Sequence, residues 1–163
     1  MLAAAVEEHA VQCQMESRKL SPELLEALDD IKSLCVFRRG ACLFQRGSQV
    51  MGVYLVESGE VRVLLPTGAT RQHLETVGPG AVLGLSESMT GEKHRTTAEA
   101  GVETAVAYIP REILVAFLGE HCDFSMQVVR LLSEEVHGLY QKFRRISAHP
   151  GRPRHRLLDE QMN

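Results

Sequence analysis

The sequence predicts an α+β fold: an antiparallel β-roll of the jelly-roll, double-stranded β-helix kind, with helices before it and one long helix after it. Three observations carry that prediction. Between residues 33 and 77, apolar runs only a few residues long follow one another, each closed by a turn signal such as Arg46-Gly47-Ser48 or Pro66-Thr67-Gly68. Short strands with regular glycine punctuation suit a roll or barrel better than a parallel sheet. A glycine-rich stretch from Gly78 then leads to a last strand, and beyond it the apolar spacing changes to threes and fours.

Taken in order, residues 1–20 form an N-terminal segment in which 2–15 mix apolar and acidic positions in the manner of a helix. Ser21-Pro22-Glu23-Leu24 is a helix start, with Ser at the cap and Pro at the first helical position. Leu24, Leu25 and Leu28 share one side of that helix, which ends near Asp29-Asp30 and covers an open end of the sheet structure. Strands are expected at 34–37, 41–44, 53–56, 61–64 and 71–74, with Gly47 and Gly59 supplying positive φ in turns. Residues 104–109 return to the sheet, and Pro110 opens a helix over 111–118 that ends near Gly119. The roll domain therefore occupies 21–120. A long helix follows within 121–147, and a basic, proline-rich tail, expected to be mobile, occupies 148–163. Along the helix Val129, Leu132, Val136, Leu139, Phe143 and Ile146 make an a/d seam, which predicts a homodimer, with Arg130, Glu134, Glu135 and Lys142 outside it. Val128 and Leu131 widen the apolar surface where the helix starts.

The 163 residues are 44% hydrophobic and 24% charged, with a formal net charge of -3, so the chain as a whole is no electrostatic nucleic-acid binder. Its apolar start, 1–6, lacks a basic flank and meets Glu7-Glu8, unlike a signal peptide, and no uncharged apolar run reaches membrane-spanning length. Cys13, Cys35, Cys42 and Cys122 show no C-x-x-C pairing, which fits reduced thiols and a cytoplasmic location. No nucleophile elbow, H-E-x-x-H or P-loop is present, so an enzyme is not expected, nor a cofactor or metal. The alternative is a small β-barrel metal-binding protein or cupin-like metalloenzyme using His73 and Glu75, alternate residues that would share one face of a strand.

The stretch most able to hold a ligand runs from Gly78-Pro79-Gly80 through Gly84-Leu85-Ser86-Glu87 and Gly91 to Arg95-Thr96-Thr97-Ala98. A glycine turn, one or two helical turns and an arginine suit an anion cradle. With the upstream Gly40…Gly47 and Val53…Gly59-Glu60 runs, it resembles the cyclic nucleotide-binding domain, most closely the sensor half of Crp/Fnr-type bacterial regulators, over residues 20–146. The resemblance implies a ligand cassette of Gly84, Leu85, Ser86, Arg95, Thr96, Thr97 and Ala98. It also implies a Glu after the glycine to hold the ribose 2′-hydroxyl, then Arg-Ser/Thr-Ala for the cyclic phosphate. Leu85 stands where that Glu belongs. Counted from Gly84, Arg95-Thr96 falls at the phosphate pair; counted back from Thr97-Ala98, Thr96 takes the arginine position and Arg95 is displaced by one. A lost carboxylate contact costs roughly 1.5–3 kcal/mol. The expectation is therefore the fold with a cavity beneath 84–97, no tight cyclic-nucleotide binding, and a small anionic or apolar effector instead. Members of the family usually continue into a helix-turn-helix domain; seventeen residues follow Ile146 here, which predicts no sequence-specific DNA binding by this chain alone.

Overall fold

In this computed structural model, residues 20–147 are described. Eight strands make two four-stranded antiparallel sheets. Sheet I has the order β1 (Ser33–Phe37), β8 (Thr104–Pro110), β3 (Gly52–Ser58), β6 (Val82–Leu83). Sheet II has the order β2 (Cys42–Phe44), β7 (Thr97–Ala100), β4 (Val61–Thr67), β5 (Thr70–Val77). Non-consecutive neighbours in both sheets make this a roll rather than a meander. The helices are α1 (Pro22–Leu28), α2 (Leu85–Thr90), α3 (Arg111–Glu120) and α4 (Cys122–Ser147). The expected α+β β-roll is the fold observed. The helix-like reading of 2–15 and the tail at 148–163 lie outside the described residues.

Alternation along β3 shows how the core is divided. Tyr54 and Val56 point into the roll, joining Leu43, Phe44, Val61, Ala98, Ala100 and Val106. Val53, with Ile109 of β8, points the other way, against Leu24, Leu28, Leu114, Leu118 and Val128 of the helices. The central strands β3 and β8 of sheet I are therefore covered on both faces and apolar at most positions, whereas its edge strand β1 leaves Leu34 and Val36 exposed. The leucines of α1 lie on the outer face of this sheet. The helix is held there by the Ser21 hydroxyl, which accepts from the Leu24 N–H (3.2 Å) and donates to Gln127 Oε1 of α4 (2.7 Å).

Sheet II turns its other face to solvent. There Glu99 receives Arg62 on one carboxylate oxygen and Arg71 on the other. Where β3 turns into β4, Gly59 has φ 85°, and a Cβ on it would lie 2.6 Å from the Glu103 carbonyl, so only glycine fits. Thr104, fully buried beside it, donates to the Glu60 carbonyl at 2.9 Å and accepts from the Glu60 N–H at 3.2 Å.

The β4–β5 register corrects the metal-pair alternative. Leu64 pairs with His73 and Val63 with Glu75, so a bulge absorbs Leu74. Adjacent Val63 and Leu64 face opposite ways, and their partners therefore do too. His73 bonds Thr76 at 2.8 Å on the solvent side, while Glu75 takes the other face. No group of three metal-ligating side chains occurs among the described residues.

Helix α4 runs 26 residues. Near its start Val128 is buried and Leu132 packs against the helical core, whereas Val129 and Val136 are 52% and 66% exposed, as are Met126 (63%) and Tyr140 (58%). The side chains of Leu139, Lys142, Phe143 and Ile146 lie outside the described residues.

Candidate functional site

The cassette is one continuous path: β6, Gly84, α2, Gly91, residues 92–96 and β7. Gly84 turns the chain at φ 77°, and a Cβ there would sit 3.2 Å from the Gly52 carbonyl oxygen and 3.3 Å from Cε1 of His94. The left-handed backbone favours glycine at this point, and the close neighbours leave little room for a Cβ. The helix ends at Gly91, also left-handed, whose N–H donates to the Glu87 carbonyl at 2.7 Å.

What fastens α2 to the rest of the molecule is Arg111, the first residue of α3. Its Nε donates to the Ser88 carbonyl at 2.6 Å, and its own N–H donates to the Met51 carbonyl at 3.0 Å. The guanidinium thus satisfies a carbonyl in the last turn of α2, where a cation is favoured.

The candidate side chains separate onto different sides of this path. Leu85 packs into the helical core with Leu24 and Leu114, away from the roll interior. Ser86 is half-buried, and its carbonyl accepts from the Thr90 hydroxyl at 3.2 Å. Arg95 lies in solvent and pairs with Glu92, whose carboxylate holds the guanidinium pKa above its ordinary value. Thr96 is half-buried. The Thr97 hydroxyl accepts from the Arg46 N–H at 3.0 Å, on the opposite face of sheet II from Ala98, which is wholly buried in the roll core.

The side chain that does enter beneath the cassette is His94. It is 3% exposed and stacks on Phe44 with ring centroids 3.9 Å apart and planes at 10°. Its main chain is clamped to the β2–β3 turn, donating to the Ser48 carbonyl at 3.0 Å and accepting from the Gly47 N–H at 2.8 Å. Burial lowers its pKa below the ordinary 6.5, opposed by the nearby Glu87 carboxylate. Nδ1 of His94 and the hydroxyl of fully buried Ser88 both lack a hydrogen-bond partner. From Phe44 the ring contacts continue to Tyr54 (5.7 Å) and on to Tyr108 (5.1 Å). The expected space beneath 84–97 is thus lined by the protein's own rings. The cavity the structure describes lies on the other side of sheet I, under the helices. Sequence reasoning passed over His94, Ser88 and Arg111; the proximity of His94 to Arg95 was the one signal available.

The two sheets thus form a roll whose glycine-bounded helix and arginine loop lie beside a long helix. The sequence profile described as the cyclic nucleotide-binding domain matches residues 34–121, more than half of the chain, and the chain belongs to that family. It is 27% identical over 120 residues to the fumarate and nitrate reduction regulatory protein of Vibrio cholerae, covering 73% of this chain and 48% of that protein. It is 29% identical over 119 residues to the transcriptional activator protein Anr of Pseudomonas protegens, covering 72% and 48%. The catabolite activator protein of Thermus thermophilus superposes with a TM-score of 0.71 at 22% identity, over 78% of this chain and 61% of that one. The chain spans about half the length of the curated relatives it matches. Among the described residues, no helix is long and apolar enough to cross a membrane.

Proposed function

We propose that this chain is a non-enzymatic sensor module of Crp/Fnr type whose cassette does not hold cyclic nucleotide in the family's manner. The observation that carries the reading is the direction of two side chains. Arg95 reaches into solvent toward Glu92, and Leu85 lies in the helical core, so neither the phosphate-binding cation nor a residue at the carboxylate position faces the roll interior. The regulatory names of its relatives support a role in controlling transcription. The free thiols of Cys35, Cys42 and Cys122 suit a cytoplasmic protein.

The module acts as a homodimer through α4. Exposed Val129 and Val136 continue the apolar line that Leu139, Phe143 and Ile146 extend in the sequence. Titration calorimetry with cyclic AMP and cyclic GMP tests the pocket. No heat at micromolar ligand is the expected result, and micromolar or tighter binding of either nucleotide overturns the reading.

A further inference from the structure

We propose that the free edge of β1 pairs antiparallel with the β1 of a second copy of this chain, so that sheet I runs on from one molecule into the next. Among the described residues β1 is bonded to β8 alone and stands at the end of its sheet. Its other side presents main-chain N–H and C=O groups with no strand beside them. Leu34 and Val36, alternate residues on its outer face, are 69% and 63% exposed. Folded proteins blunt such edges with charge, proline, bulges or shortness. The other three sheet edges are blunted in these ways. β6 has two residues, β2 has three with an irregular register, and β5 carries Arg71, His73 and Glu75 around its bulge. β1 has none of these devices: Ser33-Leu34-Cys35-Val36-Phe37 is uncharged, lacks proline and keeps an unbroken register with β8.

The charges flanking the strand select the occupant. Asp29-Asp30 lie before it and Arg38-Arg39 directly after it. Asp30, Arg38 and Arg39 are exposed, and none of them is in an ion pair among the described residues. Antiparallel pairing centred on Leu34 sets that residue against its counterpart and places Asp30 opposite the partner's Arg38. A parallel pairing would set like charges side by side. The strand thus carries both halves of a two-fold interface, acidic at one end and basic at the other. This contact goes beyond the reading of the cassette and is separate from the α4 pair: α4 joins two chains, and β1 joins such pairs to one another.

Sedimentation equilibrium on the full chain tests it. A single strand pair belongs with small, transient interfaces, so the wild type should double its mass between about 10 µM and about 1 mM. Leu34→Lys, at an exposed position that tolerates the charge in a single chain, should stop that step. Two-fold symmetry counts each charge change twice, so Arg38→Glu and Asp30→Arg should each weaken it by about tenfold, and the two together should restore it. Val136→Asp, which removes the α4 pair, should still associate through β1 at about 1 mM, so the two interfaces fail separately. In hydrogen exchange, the β1 amides that do not bond to β8 should be unprotected at about 10 µM and protected at about 1 mM. A mass unchanged across that range, association indifferent to Leu34→Lys, or a charge swap that restores nothing overturns the proposal. So does protection of those β1 amides already at about 10 µM, which would mean that the same chain, through residues 1–19 for instance, covers the edge.

Discussion

The imidazole of His94 lies flat on the ring of Phe44, 3.9 Å between centroids, while its neighbour Arg95 points into solvent. Consecutive residues at the end of the cassette thus divide between the roll core and water. The neutral, stackable side chain goes inside, and the permanently charged one stays hydrated, because an unpaired guanidinium in the ring cluster would cost far more than a neutral imidazole.

Stability should therefore depend on pH through His94. Its pKa is lowered in the folded state, so the unfolded chain binds the extra proton first and unfolding is favoured as pH falls. The stability that neutral His94 contributes is fully present above its ordinary pKa of 6.5. It is lost progressively as pH falls from there to the depressed folded value. Unfolding free energies of wild type and His94→Phe, measured between pH 8 and about 5, should diverge in that window, with the wild type falling more steeply. Parallel curves would show that the ring does not titrate in place.

Leu85→Glu would put a carboxylate at the position that resembles the ribose-binding Glu, yet this residue faces leucines. The expected outcome is a loss of about 2 kcal/mol or more, seen as a lower urea midpoint. Affinity for cyclic AMP should not rise. A stable variant with new nucleotide binding would mean the side chain reaches the roll interior.

Arg111→Ala removes a charged donor from the Ser88 carbonyl, which should cost about 1.5 kcal/mol and loosen α2 selectively. Native-state hydrogen exchange should show the Ser88 and Gly91 amides exchanging faster, with the β3–β8 amides little changed. By contrast Arg95→Ala should leave the unfolding midpoint where it is, since its pair with Glu92 is exposed.

Val136→Asp tests the dimer. The residue is 66% exposed in a single chain, so the substitution should leave the fold intact. At a paired helix seam it would bury an unpaired charge. Sedimentation should show the wild type as a dimer and the variant as a monomer. Identical monomers for both would mean that the apolar stripe has no partner helix.

The sequence by itself determined the roll, the turns and the helices that frame it. Ser21-Pro22 marked α1, Gly47 and Gly59 do take positive φ, and Pro110 stands at the start of α3. These features were legible because caps, turns and periodicity are local: each is set by residues a few positions apart. The two-residue β6 is too short to carry a period, and it emerged only once Tyr54 and Leu55 paired with it.

Facing was decided by tertiary structure alone. Apolar side chains meet the chain on both sides of sheet I at β6, so Leu83 and Leu85 read alike in the sequence, although one packs toward the roll and the other toward the helices. Residues 92–96 form no regular element, and no two-residue period links Arg95 to Thr97, which left the direction of Arg95 open. The clamp of His94 on Gly47 and Ser48, forty-six or more residues away, is what settles it. The same holds for His73 and Glu75, whose shared face was an inference from strand parity. A bulge at Leu74, chosen by pairing with β4, reverses that parity, because register is a property of two strands and neither one encodes it alone.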